Sequence, residues 1–182
     1  GLDLLLELKQ EMGEKLTVTV VTQYPEILEE VQDIFERCGM TGMQAVFCEE
    51  SRLGASYTIR AGIEAVISQD PASGQPKEGQ SKKDYLMFMV ADQPHLTLDS
   101  VRKLIRAAVS REQAAASGSL AEECSRSETL SLCCGSTPGN PCMFRADLIP
   151  ELMTLTGDQG GRKVLKRHYC QYVDISDERE LE

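Results

Sequence analysis

The sequence predicts an α/β fold in which a parallel sheet is covered by helices on both faces. Helical and strand patterns alternate as α-β-α-β-α-β-α from Leu2 to Ala108. The strands in that run are short and uninterruptedly apolar, as strands buried on both faces are. A chain of 182 residues, 41% hydrophobic and 26% charged, is long enough to bury a sizeable core as one domain.

Each element has its own signal. Leu2, Leu5, Leu8 and Met12 recur at helical spacing, and Gly13 closes that helix. Residues 16–22 are a β-branched run and read as a buried strand. Pro25 opens a second helix with Ile27, Val31, Ile34, Phe35 and Cys38 on one face, and Gly39 falls where helices stop. Residues 44–48 form a short strand, and Ile59, Ile63, Val66 and Ile67 mark a third helix. The stretch 69–84, rich in Pro, Gly, Lys and Ser, reads as a surface loop. Residues 85–91 are the most apolar strand of the chain. Leu98, Val101, Leu104, Ile105 and Ala108 mark the helix after it, with Thr97 as N-cap. Residues 110–127 are small and polar and read as a loop or a partly helical excursion. Residues 129–134 and 142–144 read as strands and 146–155 and 161–168 as helices. Residues 171–175 are a last strand before the acidic run 177–182.

Charge and cysteine usage exclude several function classes. Lys and Arg number 19 against 29 Asp and Glu, and the net charge of -10 argues against general affinity for nucleic acid or anionic membranes. No apolar run has the length of a membrane span, and residues 1–12 lack the basic start and small-residue cleavage site of a signal peptide, so the expected location is cytoplasmic. The seven cysteines are odd in number and show no C-x-x-C pair, which signals neither a disulfide framework nor a zinc site.

Four segments can carry chemistry. In Val90-Ala91-Asp92-Gln93-Pro94-His95-Leu96-Thr97 an apolar strand ends in an acid before a helix start. Asp92 is placed either to hold Mg²⁺ against nucleotide phosphates or to cap the helix. Residues 54–62, from Gly54 through Ser56 and Thr58 to Gly62, open a helix whose hydroxyls and free N–H groups suit a base edge or a phosphate, or simply cap it beside a solvated Arg60. Residues 135–144 form a turn-rich link with Asn140 held between Gly139 and Pro141. Gly157-Asp158-Gln159-Gly160-Gly161-Arg162 leads into a helix, where Asp158 is a second metal ligand or part of the cap region. No G-x-G-x-x-G and no G-x-x-x-x-G-K-[ST] occurs, and neither His95 nor His168 has a metal-ligand or triad neighbour in sequence.

Taken in order, these motifs resemble the nucleotidyltransferase domain of the molybdenum cofactor biosynthesis group, nearest to molybdenum cofactor cytidylyltransferases. The residues that carry the resemblance are Thr22-Gln23-Tyr24-Pro25, Thr58-Ile59-Arg60-Ala61-Gly62-Ile63, Ala91-Asp92-Gln93-Pro94, Gly139-Asn140-Pro141 with Phe144, and the glycine-rich stretch 157–162. The likeness spans residues 16–175. It implies a Rossmann-like, three-layer α/β/α nucleotidyltransferase domain with a mostly parallel sheet. The implied activity is Mg²⁺-dependent transfer of CMP from CTP to molybdopterin with release of pyrophosphate. It further implies Asp92 and Asp158 in the catalytic and metal-binding set, Thr58, Gly62 and Asp92 at the nucleotide, and Asn140, Pro141 and Arg162 at the acceptor. A molybdenum hydroxylase is the implied downstream partner. Two alternatives stand beside this one: a noncatalytic relative that binds molybdopterin or a molybdenum hydroxylase, and a transferase for GTP or a sugar phosphate.

The chain departs from that family at both ends. Members open with a strand and a loop like Leu-Ala-Ala-Gly-x-Ser-x-Arg-Met-Gly that wraps the triphosphate; residues 1–12 match the helix after it. The family's acidic Asp-Ile-Asp ending is likewise not found, the chain stopping at Glu180-Leu181-Glu182. The expectation is therefore one nucleotidyltransferase-like domain, residues 1–182, truncated at both termini. If these residues are the whole protein, it should bind CTP poorly and transfer nothing.

Overall fold

A computed structural model describes residues 1–68, 84–117 and 128–182. The loop expected at 69–84 falls, except for Asp84, outside the described residues, as does 118–127. Chain contacts divide the molecule into two compact units.

The first unit holds β3 (Tyr85–Phe88), α4 (Leu98–Ala116), β4 (Thr129–Cys134), β5 (Thr137–Arg145) and β6 (Cys170–Asp174), in the sheet order β3-β5-β4-β6. β5 is antiparallel to both β3 and β4, and β4 is parallel to β6. Three strands thus share one direction and only β5 opposes them. Leu104 and Ala108 of α4 pack with Leu130 and Leu132 of β4, Met143 of β5 and Ile175, all buried. Thr97 is the N-cap of α4, its side chain accepting from the Ser100 N–H, as the sequence predicts.

The second unit holds β1 (Val18–Thr22), α2 (Pro25–Cys38), β2 (Met43–Phe47) and α3 (Ala55–Ser68), with most of α1 (Leu2–Met12) and residues 149–163. β1 and β2 pair in parallel, Val18 opposite Met43 and Thr22 opposite Phe47. α2 starts with Pro25 in its first turn and ends at Gly39, which adopts φ 61 and returns its N–H to Phe35 and Glu36. Its Val31 and Phe35 are buried, as are Ile63 of α3 and Leu8 of α1. Lys9 is buried as well, its ammonium donating to the carbonyls of Gly13 and Leu16 just beyond the helix. Cations there complement the helix dipole.

Several expected boundaries need correction. Residues 135–144 are mostly strand, not link: β4 and β5 form a hairpin whose two-residue turn begins with Gly135 at φ +57. β3 ends at Phe88 rather than at residue 91. Its next ladder position would face Pro141, which has no N–H to give. The helix expected over 146–155 shrinks to a 3₁₀ turn (Ala146–Leu148) and Ile149–Leu152, after which Thr154 and Leu155 bond only three residues back. That expected over 161–168 is Arg162–Leu165 alone. In the other direction, α4 extends through 110–116, so the part of 110–127 that is described is almost all helix. Among the described residues no helix is long and apolar enough to cross a membrane.

Candidate nucleotide and metal site

The sequence motifs gather into two groups, one in each unit. The first lies beyond β3. Asp92 is exposed, and among the described residues nothing donates a hydrogen bond to its carboxylate or pairs with it. The helix behind it is capped by Thr97, so the capping alternative for Asp92 does not hold. Its neighbour Gln93 is 5% exposed and faces inward. The Gln93 side-chain amide donates to the Asn140 carbonyl at 3.1 Å and to the Glu180 carbonyl at 3.2 Å. Two carbonyl acceptors fix which end of that amide is nitrogen, because the flipped amide would set oxygen against oxygen. Its oxygen is buried and has no partner among the described residues.

Asn140 stands on a bulge. Ser131 pairs with Cys142 and Cys133 with Pro138, so one residue of β4, Leu132, opposes three of β5: Gly139, Asn140 and Pro141. Bulges of this kind redirect side chains and often flank active sites. Ser131 supports the bulge by donating its hydroxyl to the Gly139 carbonyl at 2.7 Å. Pro141 is fully buried and is joined to Asn140 by a cis peptide bond. Gly139 has to lack a side chain: a Cβ there would lie 2.8 Å from the Leu181 side chain.

The second group joins α3 to the loop at 157–162. Ser56 is fully buried and reaches the Gly157 carbonyl with both its hydroxyl (2.7 Å) and its backbone N–H (3.2 Å). Arg60 is not merely solvated: it donates to the Leu155 carbonyl at 2.8 Å and lies 4.6 Å from the centre of the Tyr57 ring. The first turn of α3 therefore does not offer all its N–H groups to a phosphate, since that of Ser56 is taken by Gly157 and that of Tyr57 by Gly54. Thr58 donates to the Ser51 hydroxyl at 2.9 Å, and Gly62 is where α3 meets the Val21 side chain of β1. Asp158 is exposed and is no helix cap, because the helical turn begins only at Arg162. Among the described residues its carboxylate has no hydrogen bond. Arg162 is exposed.

The donor set bears on a metal ion. No group of three or more His, Cys, Asp or Glu among the described residues is placed to hold one. An exposed, unpaired carboxylate fits a hard cation that takes one or two protein oxygens and completes its shell with phosphate and water, as Mg²⁺ does. It does not fit a cation caged by protein alone.

The sequence profile of the MobA-like NTP transferase domain matches residues 6–173. The chain belongs to that family. This MobA-like domain also shares its fold with solved structures at low identity. Rv0371c from Mycobacterium tuberculosis H37Rv superposes with a TM-score of 0.60 at 17% identity, over 97% of this chain and 74% of that one. The manganese complex of Rv0371c from the same organism gives 0.55 at 18% identity, over 97% and 76%. No curated protein matches the chain. The fold class is thus the α/β nucleotidyltransferase class that the sequence predicts.

Four residues of these groups have contacts that their local sequence does not reveal. Gln93 was visible only as part of the Ala-Asp-Gln-Pro motif, and Ser56 only as a hydroxyl in a helix start. Arg60 looked solvated. Glu180 lies in an acidic run, where the one local sign of docking is the apolar Leu181 beside it.

Proposed function

We propose that this MobA-like domain serves molybdenum cofactor maturation, moving CMP from CTP onto the phosphate of molybdopterin. The observation that carries the reading is Asp92: exposed, unpaired and relieved of capping by Thr97, in the loop that follows the carboxyl end of β3, the side of an α/β sheet on which such folds bind ligands. In the reaction an oxygen of the molybdopterin phosphate attacks the α-phosphorus of CTP. The new P–O bond forms as the bond from that phosphorus to the bridging oxygen breaks, and pyrophosphate leaves with the electron pair. Mg²⁺, when bound, neutralises charge on the triphosphate. The attacking phosphate is already anionic, so no general base is required.

The residues of the chain position and neutralise. Asp92 is assigned as the principal metal ligand and Asp158 as a second carboxylate for metal or ligand. Thr58 and Gly62 are assigned to the nucleotide, and Asn140, Pro141 and Arg162 to the acceptor. A net charge of -10 suits this division, because anionic substrates are then held by the metal and local amides rather than by a basic surface. The manganese complex of Rv0371c lends support to a divalent cation here. The product would pass to a molybdenum hydroxylase, and the proposed location is the cytoplasm.

A nucleotide panel tests the reading. With Mg²⁺ present, CTP should raise the unfolding temperature of the chain more than GTP, UTP or ATP does. Pyrophosphate release on adding molybdopterin should depend on CTP and on Mg²⁺. Stabilisation by GTP alone would point instead to a guanylyl or sugar-phosphate transferase. Molybdopterin binding without any nucleotide response would point to a noncatalytic relative.

A further inference from the structure

The loop that carries Asp92 has little of its own to hold it. Residues 91–96 form neither helix nor strand, and the one backbone bond within them runs from Leu96 to Gln93 at 3.4 Å. Its fixed points are Gln93 and Thr97, and one residue, Glu180, bonds both, with the Asn140 carbonyl as a second acceptor for Gln93. The Glu180 carboxylate accepts from the Thr97 N–H at 3.0 Å and from the Thr97 hydroxyl at 2.8 Å, while the Glu180 carbonyl accepts from the Gln93 side chain. Glu180 is 8% exposed, and among the described residues no basic side chain pairs with it. A buried carboxylate without a cation is costly unless well-aimed donors meet it, so its geometry is tightly specified by Thr97.

The turn that bears Glu180, Glu178–Leu181, is itself anchored. Leu181 packs on the core of the first unit and covers Gly139, where no side chain fits. Asp177 caps the turn by accepting from the Arg179 N–H. The same turn therefore touches the Asp92 loop at two points and the Asn140 bulge at a third.

We infer that Glu180 is a positioning residue: through Thr97 and Gln93 it sets where the Asp92 carboxylate is presented to a divalent cation. The inference rests on the reading of Asp92 as a metal ligand. Partners that orient a ligand in this indirect way cost about 10–100-fold in metal affinity when removed.

The test uses the chain itself with Mn²⁺ as probe, followed by paramagnetic broadening of backbone amides, and amide hydrogen exchange well below the unfolding temperature. Glu180→Ala should speed exchange across residues 91–97 and weaken Mn²⁺ broadening there about ten-fold. Glu180→Gln keeps an oxygen for the Thr97 donors and should restore both towards the parent values. A merely structural Glu180 would lower the unfolding temperature in Glu180→Ala and leave Mn²⁺ affinity and loop exchange unchanged, which overturns the inference. Thr97→Ser, which keeps the donors and the cap, should behave like the parent; Thr97→Val should behave like Glu180→Ala, and supplies the answer if Glu180→Ala does not fold. If Asp92→Asn leaves Mn²⁺ broadening intact, the reading of Asp92 fails, while the exchange data still decide whether Glu180 holds the loop.

Discussion

Gly54 is the point at which the second group of site residues is most sensitive to a single methyl group. It adopts φ 136 and ψ 163, a region open almost solely to glycine. A Cβ built on it would lie 2.3 Å from the Gly157 carbonyl oxygen and 2.6 Å from the Asp158 nitrogen. Gly54→Ala therefore carries two costs. Backbone strain contributes about 2 kcal/mol. Moving the 157–158 backbone away breaks both bonds from Ser56 to Gly157, at about 1 kcal/mol each. The sum is about 4 kcal/mol, which in a chain of this size lowers the unfolding temperature by about 10 °C. Gly39→Ala is the control, since Gly39 also has positive φ but nothing within 4 Å of its Cβ position, and it should cost only about 1–2 kcal/mol. Urea unfolding of the two variants, read by circular dichroism, measures the difference. Equal losses would refute the argument, because they would mean that the close approach of Gly54 to Gly157 contributes nothing.

Two further outcomes follow from buried polar groups. Burial and a hydrogen bond to Glu112 push the Tyr85 phenol up from 10.0 to about 12, so the fold favours its neutral form. That contribution to stability is complete below pH 10 and is lost as the pH rises through 12; ultraviolet titration should show a tyrosine ionising near pH 12 that Tyr85→Phe removes, while Tyr172, whose phenol burial also pushes up, still ionises later than a free tyrosine. Lys9→Met deletes the donor that joins the Gly13 and Leu16 carbonyls and should cost about 2–3 kcal/mol in urea unfolding, whereas Lys15→Met, at an exposed position, should cost under about 0.5 kcal/mol.

Most of the fold was legible because its signals are local. Apolar spacing and the Gly39 stop defined α2, and the β-branched run around Val20 defined β1. Thr97 announced the start of α4 through the chemistry of its hydroxyl. What escaped was set by partners distant in sequence. β3 stops at Phe88 because Pro141 would be its next partner. Residues 137–141 are rich in turn formers yet extend because Thr137 and Pro138 pair with Cys134 and Cys133 of β4 before the bulge, and Cys142 resumes the pairing after it. The short helical turns near Ile149 and Arg162 have apolar residues at helical spacing, but Leu152, Leu155 and Val164 are buried within tight turns rather than along one continuous helix. The candidate site divides in the same way. Asp92 and Asp158 were readable as acids next to turns, but that neither caps a helix emerged only from the placement of Thr97 and Arg162. Glu180 could not be separated from an acidic surface run until its bonds to Thr97 were known.

Asp92 is the residue on which the proposed metal binding by this chain depends most directly. Mn²⁺ titrated into the isotope-labelled chain should broaden the amides of residues 91–97 first, and Asp92→Asn should abolish that broadening while leaving the unfolding temperature within about 1 °C, since an exposed and unpaired carboxylate contributes little to stability. Unchanged broadening in Asp92→Asn, or a loss of stability on the scale of about 1 kcal/mol as for a missing helix cap, would contradict the assignment of Asp92 as the metal ligand.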